Sequence, residues 1–227
     1  MSHVTTAQAA ARLGVTQVAI RKLIRTGQLV SVGVVGRTIL LDAASVEQLA
    51  RVGTRHGRPW SEENAWAALL LLSGATSVDW VDSHQLSRLR RKLSTMEPSE
   101  LPILARQRAI VHRHRGTADV VRQLRDHVLA TGATAMAEDN IAERFGLTGG
   151  AGTVDGYVIS GEADALKEAY GLIEDREGNV MIREVATSQA FTDGVPLAAI
   201  ALDLLESPAT RERTAGQHVL GELFRGR

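Results

Sequence analysis

Residues 5–49, TTAQAAARLGVTQVAIRKLIRTGQLVSVGVVGRTILLDAASVEQL, carry the punctuation of three short helices and one hairpin. Thr5-Thr6-Ala7-Gln8 fits the S/T-x-x-E/Q capping box, so a helix starts near Thr6. Its alanines and Leu13 give a small, tightly packing face. Gly14 ends it, because glycine enters the left-handed C′ conformation without a Cβ penalty. Thr16 caps a second helix directly afterwards, and Gly27 closes that one. Two short helices joined by a glycine turn predict a helix-turn-helix. "LVSVGV" and "RTILL" predict two strands around Val35-Gly36, a hairpin of wing type, and Asp42 caps a third helix through Leu49. Helix, turn, helix, hairpin, helix in under fifty residues is the winged-helix order.

The same run resembles the excisionase and MerR-type DNA-binding domain over residues 4–51. The resemblance rests on Ala9-Ala10, Leu13-Gly14-Val15, Ile20, Leu23-Ile24, Gly27, Leu29, the Val35-Gly36-Arg37 wing and the closing helix from Asp42 to Leu49. It implies that the second helix is a recognition helix and that double-stranded DNA, an operator, is the partner.

At about 100° per residue, Ala19, Ile20, Leu23 and Ile24 share one arc of that helix, while Gln17, Arg21, Lys22 and Arg25 share the other. Val18 lies among the polar residues. A recognition helix sets its outward N-terminal residues against base edges in the major groove. Arg21 suits guanine, Gln17 suits adenine, and Val18 suits a thymine methyl. Thr16, Lys22 and Arg25 are placed for phosphates, and Arg37 on the wing for a flanking backbone or minor groove. The alternative is an ordinary solvated helix face, which the surrounding winged-helix pattern disfavours.

Outside this run the totals bound the rest. The chain has 227 residues, 44% apolar and 23% charged, with 4% aromatic residues and no cysteine. Aliphatic side chains must therefore dominate the core, and disulfide or thiol chemistry is excluded. No apolar signal region opens the chain. The longest apolar run, 65–72, falls far short of the roughly 20 residues of a membrane span, so a cytoplasmic protein without a membrane segment is expected. The net charge of zero hides an asymmetry. Residues 1–125 hold 18 Lys and Arg against 9 Asp and Glu, and residues 126–227 hold 8 against 17. A basic half that meets a polyanion and an acidic half with another task are expected.

"RVGTRHGRPW" reads as a basic linker, and Ser61-Glu62-Glu63 opens a helix that is apolar round most of its circumference. A further helix carries Leu86, Leu89 and Leu93 as its core stripe, with Arg88, Arg90, Arg91 and Lys92 around them as a solvated face or an added phosphate contact. From residue 109 strands and helices alternate, and the tail is helical, with Leu197, Ile200, Ala201, Leu204 and Leu205 at helical spacing. The expected fold class is α+β: a winged helix-turn-helix at 1–52, a linker at 53–60, and a helical plus mixed α/β domain at 61–227.

Catalytic signals are sparse. "GLTGGAG" lacks the Lys-Ser/Thr of a phosphate loop. His112 and His114 share a strand face but have no third ligand in view, so a surface or structural role is expected. Glu138-Asp139 and Asp155 read as ordinary exposed acids. No enzyme, metal or cofactor is expected. The order "GLTGGAGTVDGYVISGEADAL", "EGNVMIREV", "LAAIALDLLESPATRERTAGQHVL" is similar to the C-terminal domains of AbiEi-like antitoxins of type IV toxin–antitoxin systems, through Gly146-Leu147, Asp155 with Tyr157, Gly178-Asn179-Val180 and Asp203 to Ser207. That resemblance implies an autoregulating repressor whose second domain antagonises a nucleotidyltransferase toxin. A MerR-like regulator with a small-molecule inducer and a recombination directionality factor stay open as alternatives. A homodimer is expected from the use of paired half-sites.

Overall fold

In the computed structural model, which describes residues 3–36, 38–52, 58–149 and 152–226, the capping box is formed at Thr5. The Gln8 N–H donates to Thr5 Oγ1 at 3.2 Å, and the Thr5 N–H donates to Gln8 Oε1 at 2.8 Å. The chain divides into two compact units, Met1–Arg58 and Pro59–Arg227. Arg37, residues 53–57 of the expected linker, and Gly150-Ala151 of the glycine-rich stretch lie outside the described residues.

The first unit runs β1 (His3–Thr5), α1 (Thr6–Leu13), α2 (Gln17–Arg25), β2 (Ser31–Val35), β3 (Thr38–Asp42) and α3 (Ala43–Val52). Gly14 adopts the left-handed conformation, φ +65°, that lets α1 end and α2 begin three residues later. The strands form an antiparallel sheet in the order β1-β3-β2. The hairpin closes at the pair Val35↔Thr38, across Gly36 at φ +62°. β1 is an addition to the expected pattern. Its three residues show no alternation of their own and are strand only because Val4 lies against Leu41. Ala9, Ala10, Ile20, Leu29, Leu41, Val46 and Leu49 are buried as one core, with Leu23 and Ile24 half-buried at its edge.

The second unit contains α4 (Glu62–Leu72), α5 (Ser83–Thr95), α6 (Leu101–Leu104), β4 (Ile110–Arg115), α7 (Ala118–Leu124), β5 (Leu129–Ala130), α8 (Asp139–Phe145), β6 (Val154–Ile159), α9 (Glu162–Ala169), β7 (Ile173–Glu174), β8 (Val180–Val185), α10 (Leu197–Leu204) and α11 (Thr210–Arg225). Its sheet order is β5-β6-β8-β4-β7, with β6 and β8 parallel and the other pairs antiparallel. Gly178, in the turn before β8, packs so closely on β4 that a Cβ would sit 1.9 Å from the His114 carbonyl oxygen. The helices of 61–105 and the sheet share a single core in which Trp66, Leu69 and Leu93 lie with Tyr157, Ile200 and Leu204. The division of charge at residue 125 therefore cuts through a unit. Taken by unit, 1–58 holds eight Lys and Arg against two Asp and Glu, net +6, and 59–227 holds eighteen against twenty-four, net −6.

Trp66 is fully buried, edge-on to Tyr157 at 5.1 Å and to Phe191 at 4.7 Å, and its Nε1–H donates to the Arg108 carbonyl at 2.9 Å. Beside this aromatic group lies an ionic network that is buried except at Glu206, on its exposed rim. Arg183 donates to Asp155 through Nε at 2.7 Å and Nη2 at 3.0 Å, and to Glu206 at 2.9 Å. Arg108 donates to Asp203, and to Glu206 at 2.8 Å. The Tyr157 hydroxyl and Thr131 Oγ1 donate to Asp203 Oδ2 at 2.7 and 2.6 Å. Asp155 is thus no exposed acid. Its side chain is 15% accessible and bidentate to an arginine with no exposure at all, because β6 and β8 run side by side and place the two residues on one sheet face. The expectation for Glu138 and Asp139 holds, since both are exposed.

Three carboxylates against two guanidiniums leave one negative charge in excess. Burial pushes Asp155 up from 3.8 to about 6, with Asp203 and Glu206 adding to the rise and Arg183 opposing it. Burial also acts to raise Glu206, but Arg108 and Arg183 win and hold it at about 2. The stabilisation from protonated Asp155 is complete below pH 3.8 and is lost as pH rises through about 6. That from ionised Glu206 is already complete above pH 4.5. Between pH 4.5 and 7 the chain should therefore lose about 1–2 kcal/mol of unfolding free energy that Asp155→Asn does not lose. Urea titrations of both proteins across this window measure the difference, and parallel pH profiles would refute it.

Candidate nucleic-acid interface

α2 is positioned by its two ends. Thr16 adopts an extended conformation and accepts from the Ala19 N–H at 3.2 Å, which satisfies one of the free donors at the helix start. At the other end the Thr26 hydroxyl donates to the Lys22 carbonyl at 3.0 Å, and Gly27 turns the chain at φ +70°. Ile20 faces inward with no exposure, anchoring the helix on Ala9, Ala10 and Leu41.

The opposite side is open. Thr16, Gln17, Val18, Arg21, Lys22 and Arg25 are all exposed, Val18 at 73%. Among the described residues no carboxylate pairs with Arg21, Lys22 or Arg25. The two acids of this unit are engaged elsewhere. Glu47 takes Arg12 in a two-pronged contact, 2.7 Å on each prong, and Asp42 Oδ1 accepts from the Ala44 N–H at the start of α3. Six of the seven residues expected to touch DNA are thus exposed along α2 or at its N-cap, from Thr16 to Arg25 at the helix end, and the seventh, Arg37, lies outside the described residues.

The arrangement meets the physical requirements of a nucleic-acid contact: a helix with one face on its core and the other exposed, three cations within five positions without a carboxylate partner among the described residues, and a net charge of +6 on fewer than sixty residues. Residues 4–51 match the helix-turn-helix domain family. The match covers about a fifth of the chain and supports DNA as the partner of this segment and transcription regulation as its role. No curated protein and no solved structure matches the chain.

Within the helix-turn-helix domain, the exposure of Val18 makes a clean test. Val18→Ala removes two methyl groups from a side chain that contributes nothing to the core, so stability should change by less than about 0.5 kcal/mol. Selection from a randomised DNA pool should show a changed preference at one base pair, the expected consequence of losing a thymine-methyl contact. A collapse in stability, or an unchanged binding motif, would remove Val18 from the interface.

The basic cluster of α5 belongs to the second unit. Arg90 donates to the Thr76 carbonyl and Lys92 pairs with Glu100 at 2.9 Å, while Arg88 and Arg91 are exposed. His112 and His114 do share a face of β4, with rings parallel at 6.4 Å, and His112 Nε2 lies 2.9 Å from Glu184 Oε2. Among the described residues no three His, Asp or Glu side chains gather as a metal site, and no helix is long and apolar enough to cross a membrane. Two features carried no signal in the sequence. One is the Arg183–Asp155–Asp203–Glu206 group, whose members lie up to 98 positions from Arg108 in the chain. The other is the full exposure of β2, a strand the sequence does predict.

Proposed function

We propose that this protein is a sequence-specific DNA-binding transcriptional regulator that reads an operator through α2 and represses the operon that encodes it. The observation that carries this reading is the unpaired face of Gln17, Val18, Arg21, Lys22 and Arg25 on a unit of net charge +6. The unit 59–227, net −6, is the part assigned to a basic protein partner. On the resemblance of its C-terminal segments to AbiEi-like antitoxins, that partner would be a nucleotidyltransferase toxin and the protein its antitoxin. No residue set in this unit is assigned a catalytic role.

The DNA reading is tested by gel shift on the DNA upstream of the gene, with a scrambled duplex as control. Specific binding should weaken steeply with salt, and Lys22→Ala should reduce the slope of log K against log salt by about 1. Equal affinity for both duplexes overturns sequence specificity. The antitoxin reading is tested by co-expression with the neighbouring reading frame. Failure to relieve its toxicity, or a gene neighbourhood with no nucleotidyltransferase, removes that part and leaves the DNA reading intact.

One observation favours a small-molecule inducer instead. A cleft of about 540 Å³ is lined by His112, His114, Asp164, Lys167 and Glu174, and the buried Nδ1 of His114 has no hydrogen-bond partner among the described residues. A thermal-shift screen of charged metabolites against the intact chain distinguishes this reading from the antitoxin one.

A further inference from the structure

A second exposed cationic face lies in the unit 59–227. From Ser83 to Met96 the chain carries Arg88, Arg90, Arg91 and Lys92 and no Asp or Glu. The rest of that unit, fourteen Lys and Arg against twenty-four Asp and Glu, stands at net −10. Leu86, Leu89 and Leu93 bury the inner side of α5. Two of the cations are used within the fold, Arg90 on the Thr76 carbonyl and Lys92 on Glu100 at 2.9 Å. Arg88 and Arg91 lie three positions apart on the exposed side, with His84 and Thr95, and like charges at that spacing destabilise a helix. No carboxylate among the described residues pairs with either guanidinium, although the unit has twenty-four acids. Asp82, the acid that precedes this face in the chain, is engaged at the helix start, where its Oδ1 accepts from the Gln85 N–H at 2.8 Å.

We propose that this face of α5 binds the phosphate backbone of the duplex, beside the bases that α2 reads. The proposal rests on the DNA reading of the helix-turn-helix domain. Charge selects the occupant. Two guanidiniums without counter-ions call for an anion, and a row of phosphates matches the fork of each arginine. The remainder of the unit, at net −10, repels a duplex, which leaves a cationic face such as that of α5 for DNA to approach. An acidic surface on another protein offers the same sign of charge, but it is recruited at its own concentration in solution. A duplex held by α2 is presented to α5 on the same chain, at an effective concentration on the order of mM. The contact reads no bases. It lengthens the footprint and adds affinity.

The test uses the intact chain and the preferred site from a randomised DNA pool, placed in two duplexes. One duplex ends at the site, and the other extends it on each side by about 20 bp of arbitrary sequence, roughly two helical turns. The longer duplex should bind at least about tenfold more tightly, whatever the added sequence. Arg88→Ala with Arg91→Ala should remove that gain and leave affinity for the shorter duplex unchanged. On the longer duplex it should lower the slope of log K against log salt by about 2. Arg88→Lys with Arg91→Lys should keep most of the gain, since neutralising phosphate needs the charge. Equal affinity of the wild-type chain for both duplexes overturns the proposal, and so does a gain that the double alanine variant retains. In both cases the DNA reading stands. Self-association in sedimentation velocity without DNA, abolished by the same variant, would assign the face to a second copy and overturn it too. A wild-type chain that does not distinguish the selected site from a scrambled one on either duplex overturns the DNA reading, and this proposal with it.

Discussion

Arg183→Leu is expected to lower the stability of the 59–227 unit by about 3–5 kcal/mol, the cost of leaving buried carboxylates without their counter-ion. Arg183 has no solvent exposure and holds Asp155 through two hydrogen bonds and Glu206 through a third, with Asp203 at 3.1 Å. Its removal leaves Arg108 as the single cation beside three acids. At this unit size the loss should lower the melting temperature by roughly 6–20 °C. All three tryptophans, Trp60, Trp66 and Trp80, lie in this unit, so tryptophan fluorescence during urea unfolding of the intact chain reports on it without interference from the DNA-binding part. Pairing Arg183→Leu with Asp155→Leu removes one charge of each sign and should recover part of the loss. A cost below about 1 kcal/mol for Arg183→Leu alone would mean that water reaches the network and solvates it.

The double variant Arg21→Ala, Arg25→Ala should reduce operator affinity by a factor on the order of 100 or more at fixed salt. It combines one base-edge contact worth about 1–3 kcal/mol with the loss of one phosphate contact. Circular dichroism should be unchanged, because both side chains are exposed and pair with nothing among the described residues. Arg12→Ala is the control. Arg12 is as basic and as exposed but is held by Glu47, so its replacement should leave affinity within a few-fold. If Arg12→Ala weakens binding as much as the double variant does, general charge and not the face of α2 drives the association.

The outcomes for the two units differ for a reason that lies in sequence separation. In the helix-turn-helix domain the determining interactions are local. Thr5 with Gln8, Thr16 with Ala19, and the glycine at φ +65° between the helices span three residues or fewer. Even the hairpin pairs Val35 with Thr38. Cap and turn chemistry of this kind is written in neighbouring letters, so the helices, the hairpin and the outward placement of Val18 were legible. β1 was not, because three residues acquire strand geometry only from the partner strand at the far end of the domain.

In the second unit, periodicity was enough to place α4, α5, β6, β8 and α10, since burial imposes a period of 3.6 or 2 wherever a face meets a core. It said nothing of which face meets which. Asp155, Asp203, Glu206, Arg108 and Arg183 each look like surface residues in their own segments, and they become one network, buried except at Glu206, only when the parallel β6–β8 pair meets α10. By itself the sequence determined the local elements, the basic face of α2 and the absence of cysteine chemistry. Only the tertiary structure decided that the helices of 61–105 share one core with the sheet, that these five charges form one network with Arg108, Arg183 and Asp203 buried, and that β2 is left as an open edge. Those three facts depend on long-range packing, which pairs residues that no local rule connects.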